Sequence, residues 1–86
     1  MSARKERAHY LVGLGDRVRD LRRAKLDEKG RWMTQEKLGE KAGLHRTYVS
    51  SLEQGTRNPS FRVLLQVAKG LEVDVGELTQ GFSLDA

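Results

Sequence analysis

The stretch His45-Arg46-Thr47-Tyr48-Val49-Ser50-Ser51-Leu52-Glu53-Gln54 places eight hydrogen-bonding side chains in ten residues. At about 100° per residue, Thr47, Ser50 and Gln54 fall within roughly 100° of Arg46, and Ser51 lies a little beyond. Tyr48, Val49 and Leu52 lie on the other side. The polar stripe contains no acidic residue, whereas a face that is merely solvated normally mixes Glu with Lys. Arginine can bond guanine bidentately in a major groove. Serine and threonine can bond bases or phosphate, and the threonine methyl can meet a thymine methyl. Free N–H groups at the start of such a helix attract phosphate. The spacing therefore points to readout of base-pair edges by this segment, with the plain alternative of an αα-hairpin that carries no ligand.

Covalent chemistry finds no comparable support. The two histidines, His9 and His45, stand in an expected tail and at a helix start. The chain shows no carboxylate pair, glycine-rich phosphate loop or nucleophile–base spacing. It has no cysteine, which excludes a disulfide framework and a thiolate metal site and suits a reducing intracellular setting. The reading is of a non-enzyme without cofactor or metal.

Five helices are needed to position the stripe. The first is expected over Val12–Glu28, with Leu14, Val18 and Leu21 at i, i+4 and i+7. Arg17, Arg19 and Arg23 point largely away from that stripe. Lys29-Gly30 should end this helix, with Gly30 in the left-handed C′ conformation. Thr34 reads as the N-cap of a short second helix, Gln35–Ala42, with Leu38 and Ala42 inward. Gly43 follows, supplying the positive φ of a sharp turn into the third helix, His45–Gln54. That sequence of elements is a helix-turn-helix. Pro59 and the capping Ser60 open a fourth helix, Phe61–Lys69, whose Phe61, Leu64, Leu65 and Ala68 form an expected inner face. Gly70 should close it, with Leu71 making the hydrophobic contact of a Schellman end. Asp74, with Glu77 three residues on, opens a last short helix to about Thr79. Glu53 stands at the edge of the buried side of the third helix, and Arg22 at the edge of the first helix's stripe. The two are expected to pair across the core, since either alone would leave a partly buried charge.

The 86 residues predict one small domain, all-α and compact, over 11–82, with a flexible basic arm at 1–10 and a tail at 83–86. A core of this size is marginal alone, and dimerisation is a usual remedy. The formal charge of +4 is uneven: Met1–Arg31 carries +5, Trp32–Pro59 +1 and Ser60–Ala86 −2. A basic end favours a polyanion partner, of which nucleic acid is the commonest. No apolar run reaches the roughly 20 residues that span a bilayer. The N-terminal MSARKERAHY lacks the apolar region of a secretory signal, so no membrane partner is expected.

Taken in combination, Arg22, Thr34-Gln35, Leu38, Ala42-Gly43, Val49, Leu52-Glu53, Gly55, Asn58-Pro59-Ser60 and Asp74 carry a family resemblance. From about Leu14 to Leu78 the chain resembles the Cro/C1-type (XRE) helix-turn-helix regulators of bacteria and phage. Within them, HRTYVSSLEQGTRNPS is similar to the controller proteins of restriction–modification systems. The resemblance implies a five-helix, lambda-repressor-like DNA-binding domain with the third helix as recognition helix. It implies base contacts by Arg46, Thr47 and Ser51, with Ser50 a further candidate. It implies backbone contacts by Gln35, Arg57 and Asn58, and by Tyr48, whose angle also allows packing. His45 occupies a position where Ser or Thr is common and can cap the helix or bond a phosphate. The connection LDEKGRWM is longer than in compact phage members, and Trp32 within it is expected to lie as a lid over the core.

Double-stranded DNA and a second copy of the chain are the expected partners, in the bacterial cytoplasm, with no small-molecule ligand. Val73, Val75, Leu78 and Phe82, with Leu84, are the expected dimer interface, because the acidic C-terminal third is poorly suited to meet DNA. The arm Arg4-Lys5-Glu6-Arg7 reads as an untethered tail. A different class of use, a protein-interaction module of the same fold (antitoxin-like or coactivator-like), stays open from sequence.

Overall fold

The computed structural model describes residues 9–84. The helices are α1 (His9–Ala24), α2 (Gln35–Ala42), α3 (Arg46–Glu53), α4 (Phe61–Leu71) and α5 (Val75–Thr79). Among the described residues the only extended pairing is one isolated antiparallel bridge, Leu26 with Trp32. The basic segment Arg4-Lys5-Glu6-Arg7 lies outside the described residues. His9 and Tyr10, expected in the arm, are already helical.

The predicted caps set two of the helix starts. Thr34 Oγ1 accepts from Lys37 N at 3.0 Å, and Ser60 Oγ accepts from Val63 N at 3.1 Å. At the end of α2, Gly43 takes φ 74° and ψ 32° and its N–H bonds Gly39 O. That left-handed residue reverses the chain so that α3 starts three residues later. α2 and α3 then come close enough that a Cβ on Gly39 would sit 2.6 Å from Leu44 O. A hydrogen side chain at position 39 is what the tight helix-turn-helix requires.

The core draws Leu14 and Val18 from α1, Leu38 and Ala42 from α2, Val49 and Leu52 from α3, Val67, Ala68 and Leu71 from α4, and Leu78 from α5. Burying each of the larger side chains contributes about 1.5–3 kcal/mol relative to leaving it exposed. Because every helix supplies at least one of these residues, α3 cannot leave its place without opening the shared core.

Four local expectations are corrected. First, α1 ends at Ala24, not Glu28. The chain beyond it folds into a hairpin in which Met33 N bonds Lys25 O at 3.0 Å and Asp27 N bonds Arg31 O at 2.8 Å. Asp27 Oδ1 accepts from Lys29 N and Arg31 N at 2.8 and 2.9 Å, and Oδ2 accepts from Arg31 Nε at 2.9 Å. Gly30 has its positive φ (76°) in this turn, not as a helix C′ residue. Second, Trp32 is no lid. It is 53% exposed, and the Arg23 guanidinium lies over its ring, 4.9 Å from the centroid.

Third, α4 runs through Gly70 to Leu71, and the left-handed residue after it is Glu72, with φ 61°. Gly70 is buried where a Cβ would meet Leu38 Cδ1 at 2.8 Å. α4 therefore presses its 67–68–71 side against α2, and Phe61 and Leu65, expected inside, turn outward at 64% and 45% exposure. Fourth, Asp74 takes the extended cap conformation without a side-chain cap bond. The first turn of α5 closes through Glu77 N to Asp74 O at 2.9 Å instead.

Candidate nucleic-acid interface

Four residues expected to meet bases stand on one helix, and its neighbours fix how each is presented. His45, in extended conformation, caps α3 with its ring: Nδ1 accepts from Thr47 N at 3.3 Å and lies 3.0 Å from Thr47 Oγ1. With Nδ1 serving as acceptor, the ring proton sits on Nε2, leaving an N–H donor on an exposed side chain. Thr47 thereby has its hydroxyl engaged and its methyl uncommitted. Ser51 donates to Thr47 O at 3.0 Å, and Ser50 accepts from Gln54 Nε2 at 3.2 Å. Both hydroxyl oxygens keep a lone pair. Arg46 is exposed and has no hydrogen bond or ion pair among the described residues. Its whole fork of donors is available.

Tyr48 is half-buried against the core. The Arg57 guanidinium lies over its ring, 5.2 Å from the centroid. The stack ties the loop after α3 to the helix itself and holds one cation near Asn58, which is exposed beside it. Gln35, expected on a phosphate, directs its amide inward: Nε2 donates to Glu53 Oε1 at 3.0 Å. What Gln35 still offers outward is its backbone N–H, in the unsatisfied first turn of α2.

Beneath this surface lies the expected ion pair. Arg22 Nε donates to Glu53 Oε2 at 2.7 Å and a terminal nitrogen donates to Oε1 at 2.9 Å, a two-pronged contact. The other terminal nitrogen donates to Met33 O at 2.8 Å. Arg22 and Glu53 are 5% and 4% exposed. With Gln35 added, this carboxylate joins the end of α3 to α1, to the start of α2 and to the hairpin. Burial of two charges is tolerated because their donors and acceptors find partners.

Sequence reasoning missed three cationic contacts. Arg17, read as pointing largely away from the inner stripe of α1, donates to Glu77 O at 2.7 Å and Gln80 O at 3.0 Å, and lies over Phe82, 4.7 Å from its centroid. Arg19 donates to Glu53 O at 3.4 Å and also pairs with Asp16. Arg23 stacks on Trp32. Two of these serve the ends of helices, where unpaired carbonyls attract cations; that preference was the available signal.

Of the expected dimer residues, Leu78 is fully buried in the chain's own core and has no surface for a second copy. Val73, Val75 and Phe82 are half-buried against that core, and Leu84 is exposed. Two surface cavities lie away from the α3 stripe. One of about 570 Å³ runs between the hairpin and α2, lined among others by Trp32, Met33, Lys37 and Lys41. The other, about 300 Å³, lies between α1, α4 and the chain end. Among the described residues no helix is long and apolar enough to cross a membrane, and no group of three His, Cys, Asp or Glu stands together to hold a metal.

Exposed side chains on a second helix, seated by a glycine turn on a first, match a known family directly: residues 23–78 fit the Helix-turn-helix family (HTH_3). The chain belongs to the helix-turn-helix family. It is 41% identical over 64 residues to the control protein C.BamHI of Bacillus amyloliquefaciens, covering 74% of this chain and 73% of that one. It is 44% identical over 46 residues to the control protein C.SmaI of Serratia marcescens, 54% of this chain and 55% of that one. The structure resembles the restriction–modification controller protein C.AhdI of Aeromonas hydrophila, with TM-score 0.69 and 41% identity over 79% of this chain and 94% of that one. It also resembles C.Esp1396I bound to a 19 base pair DNA duplex, with TM-score 0.68 and 35% identity over 83% and 87% of the two chains.

Proposed function

We propose that this helix-turn-helix protein is a sequence-specific DNA-binding transcriptional regulator, a controller of a restriction–modification system, acting as a homodimer on a palindromic operator. The observation that carries the reading is the acid-free outer face of α3, on which Arg46 stands with no donor claimed by another described residue. Its likeness to controller proteins, one of them bound to duplex DNA, supports the same conclusion.

In this reading α3 enters the major groove. Arg46 bonds a guanine edge, the Thr47 methyl meets a thymine methyl, and Ser50 and Ser51 accept from or donate to neighbouring base edges. Backbone phosphates are held by the α2 N-terminus at Gln35, by His45 Nε2, by the Tyr48 hydroxyl, and by Arg57 and Asn58. Two copies place their α3 helices about 34 Å apart on one face of the duplex. The exposed parts of Val73, Val75 and Phe82 belong to the surface between copies. The protein works in the bacterial cytoplasm, without catalysis, cofactor or small-molecule effector, and its own concentration sets occupancy.

Selection of bound sequences from a random duplex pool tests this. The expected product is an enriched inverted repeat with a bound mass of two chains. Recovery of the pool without enrichment would refute DNA readout and favour a protein-interaction module.

A further inference from the structure

The helix-turn-helix is flanked in the chain by two guanidinium groups, each held on an aromatic ring. Arg57, after α3, lies over Tyr48 at 5.2 Å from the centroid. Arg23, in the last turn of α1, lies over Trp32 at 4.9 Å. Arg23 is exposed and has no hydrogen bond or ion pair among the described residues, so its donors are free while its plane is fixed. Trp32 is itself pinned. It faces Leu26 across the antiparallel bridge of the hairpin, and the carbonyl of the next residue, Met33, accepts from Arg22 at 2.8 Å. Toward the tip, Arg31 commits Nε to Asp27 Oδ2 at 2.9 Å, with both terminal nitrogens unclaimed by described residues. The hairpin thus presents two guanidinium groups ordered in advance.

We propose that the hairpin after α1 is a further DNA-contacting element, in which Arg23 and Arg31 bind backbone phosphates outside the base pairs that α3 reads. The inference rests on the DNA-binding reading and extends that site beyond α2 and α3. Continuity with the proposed interface carries it. Trp32, Met33 and the capping Thr34 run directly into Gln35, whose backbone N–H is offered to a phosphate. Arg22 bonds both Glu53, at the end of α3, and Met33 O, at the base of the hairpin. The hairpin is therefore carried to the duplex when α3 docks. From its base at Lys25 and Met33 to its tip it is about four residues long, or roughly 13 Å. That length spans about four base pairs of rise. Guanidinium groups match phosphate geometry and are weakly hydrated. Stacking on Trp32 and pairing with Asp27 have already fixed their planes, which lowers the ordering cost of binding. The charge of Asp27 is answered within the turn by three donors, and Glu28 and Lys29 at the tip cancel. The same arrangement accounts for a tryptophan left 53% exposed: its ring is the platform that aims Arg23. Phosphate contacts of this kind add affinity without adding sequence preference.

The test uses the full chain and the sequence recovered by selection, carried in a duplex whose flanks exceed the hairpin's reach. Trp32 is the single tryptophan, so its emission should change as this duplex is added and should saturate with the anisotropy of binding. Ethylation interference should reveal phosphates outside the α3 base pairs that matter to wild type and drop out for Arg23→Ala. Each lost phosphate contact lowers the salt slope by about 0.9. Arg23→Ala, which breaks no hydrogen bond, should show that change alone. Arg23→Ala/Arg31→Ala should lower the slope by about 1.8, so wild type loses roughly 12-fold more affinity than the double variant between about 50 and 200 mM salt. The selected sequence should stay the same. Arg31→Ala leaves Asp27 both of its backbone donors, so the hairpin should persist and the thermal melts should match. Trp32→Ala should weaken binding, and Trp32→Phe, which keeps a ring under Arg23, should restore it. Failure of wild type to select any sequence would overturn the DNA-binding reading and this one with it. Specific binding with an unchanged salt slope in the double variant would overturn the hairpin contact alone, as would Trp32 emission blind to the duplex. The exposed Leu26 and Trp32 would then belong to a protein partner.

Discussion

Replacing Arg22 by Met should be among the most destabilising single substitutions in this protein. Methionine roughly fills the volume, but Glu53 loses two of its three donors, Arg22 Nε and the terminal nitrogen at 2.7 and 2.9 Å. A carboxylate only 4% exposed is then left with the single amide of Gln35 at 3.0 Å. Met33 O loses its 2.8 Å donor as well. Breaking one side of such a buried pair costs about 3–5 kcal/mol. A chain of this length has a total stability of roughly 4–13 kcal/mol. The melting temperature should therefore fall on the order of 20 °C. Glu53→Leu should cost a similar amount for the mirrored reason. The double variant Arg22→Met/Glu53→Leu leaves no buried charge and should return to within about 1–2 kcal/mol of wild type. Urea unfolding followed by far-ultraviolet circular dichroism measures all four, at one fixed protein concentration because a dimer's stability depends on it. If Arg22→Met cost less than about 1 kcal/mol, or if the two single losses simply added, the pair would not be the tie that holds α3 in place.

Three further outcomes follow from the same geometry. Gly39→Ala places a Cβ 2.6 Å from Leu44 O and should cost more than about 1 kcal/mol, whereas Gly76→Ala, in α5 with nothing within 4 Å, should stabilise by a few tenths to about 1 kcal/mol; thermal melts compare them. Arg57→Ala should weaken binding to specific and nonspecific duplexes alike and lower the salt slope by about one, measured by anisotropy across salt concentrations. The third outcome concerns pH. The backbone N–H of Arg31, with help from Lys29 N and the Arg31 side chain, holds the Asp27 carboxyl below its ordinary range. A depressed folded value means that the hairpin's gain is complete above the unfolded value and is lost as pH falls through the folded one. Trp32, the single tryptophan, should keep constant fluorescence through the weakly acidic range and change only below the ordinary carboxylate range. Glu72, held low chiefly by its bond from Lys25, titrates in the same direction. Asp27→Ala isolates the hairpin: its signal should already be altered at neutral pH, and an acid transition identical to wild type would dismiss Asp27 as the cause.

The parts of the fold that were legible in the sequence are those governed by local chemistry. Thr34 and Ser60 cap because their hydroxyls reach the N–H three residues on, and Gly43 turns because a positive φ is cheapest there. Those rules act within a few residues. The ion pair was legible because two charges at the edges of two apolar stripes have few other places to go. What escaped depended on neighbours distant in sequence. The rotation of α4 is set by how closely Gly70 lets it approach Leu38 and Ala42, and this turned Phe61 and Leu65 outward. The hairpin after α1 is held by one aspartate accepting three bonds; an Asp followed three residues later by Gly was its signal, obscured by the helix-forming Glu28 and Lys29 between them. Arg17 was read by its angle on α1 alone, which says nothing of the α5 carbonyls it reaches. On the polar stripe the residues were legible, while their commitments were not: periodicity placed Thr47 outward but gave no hint that His45 engages its hydroxyl.

The central claim is that the α3 face beginning at Arg46 reads base pairs. Parallel selections from one random duplex pool, with wild type and with Arg46→Ala, test it most directly. The account predicts the same inverted repeat and spacing in both, with preference lost at one guanine position per half-site and affinity lower by about 1–3 kcal/mol. An unchanged preference at every position in the Arg46→Ala selection would contradict it.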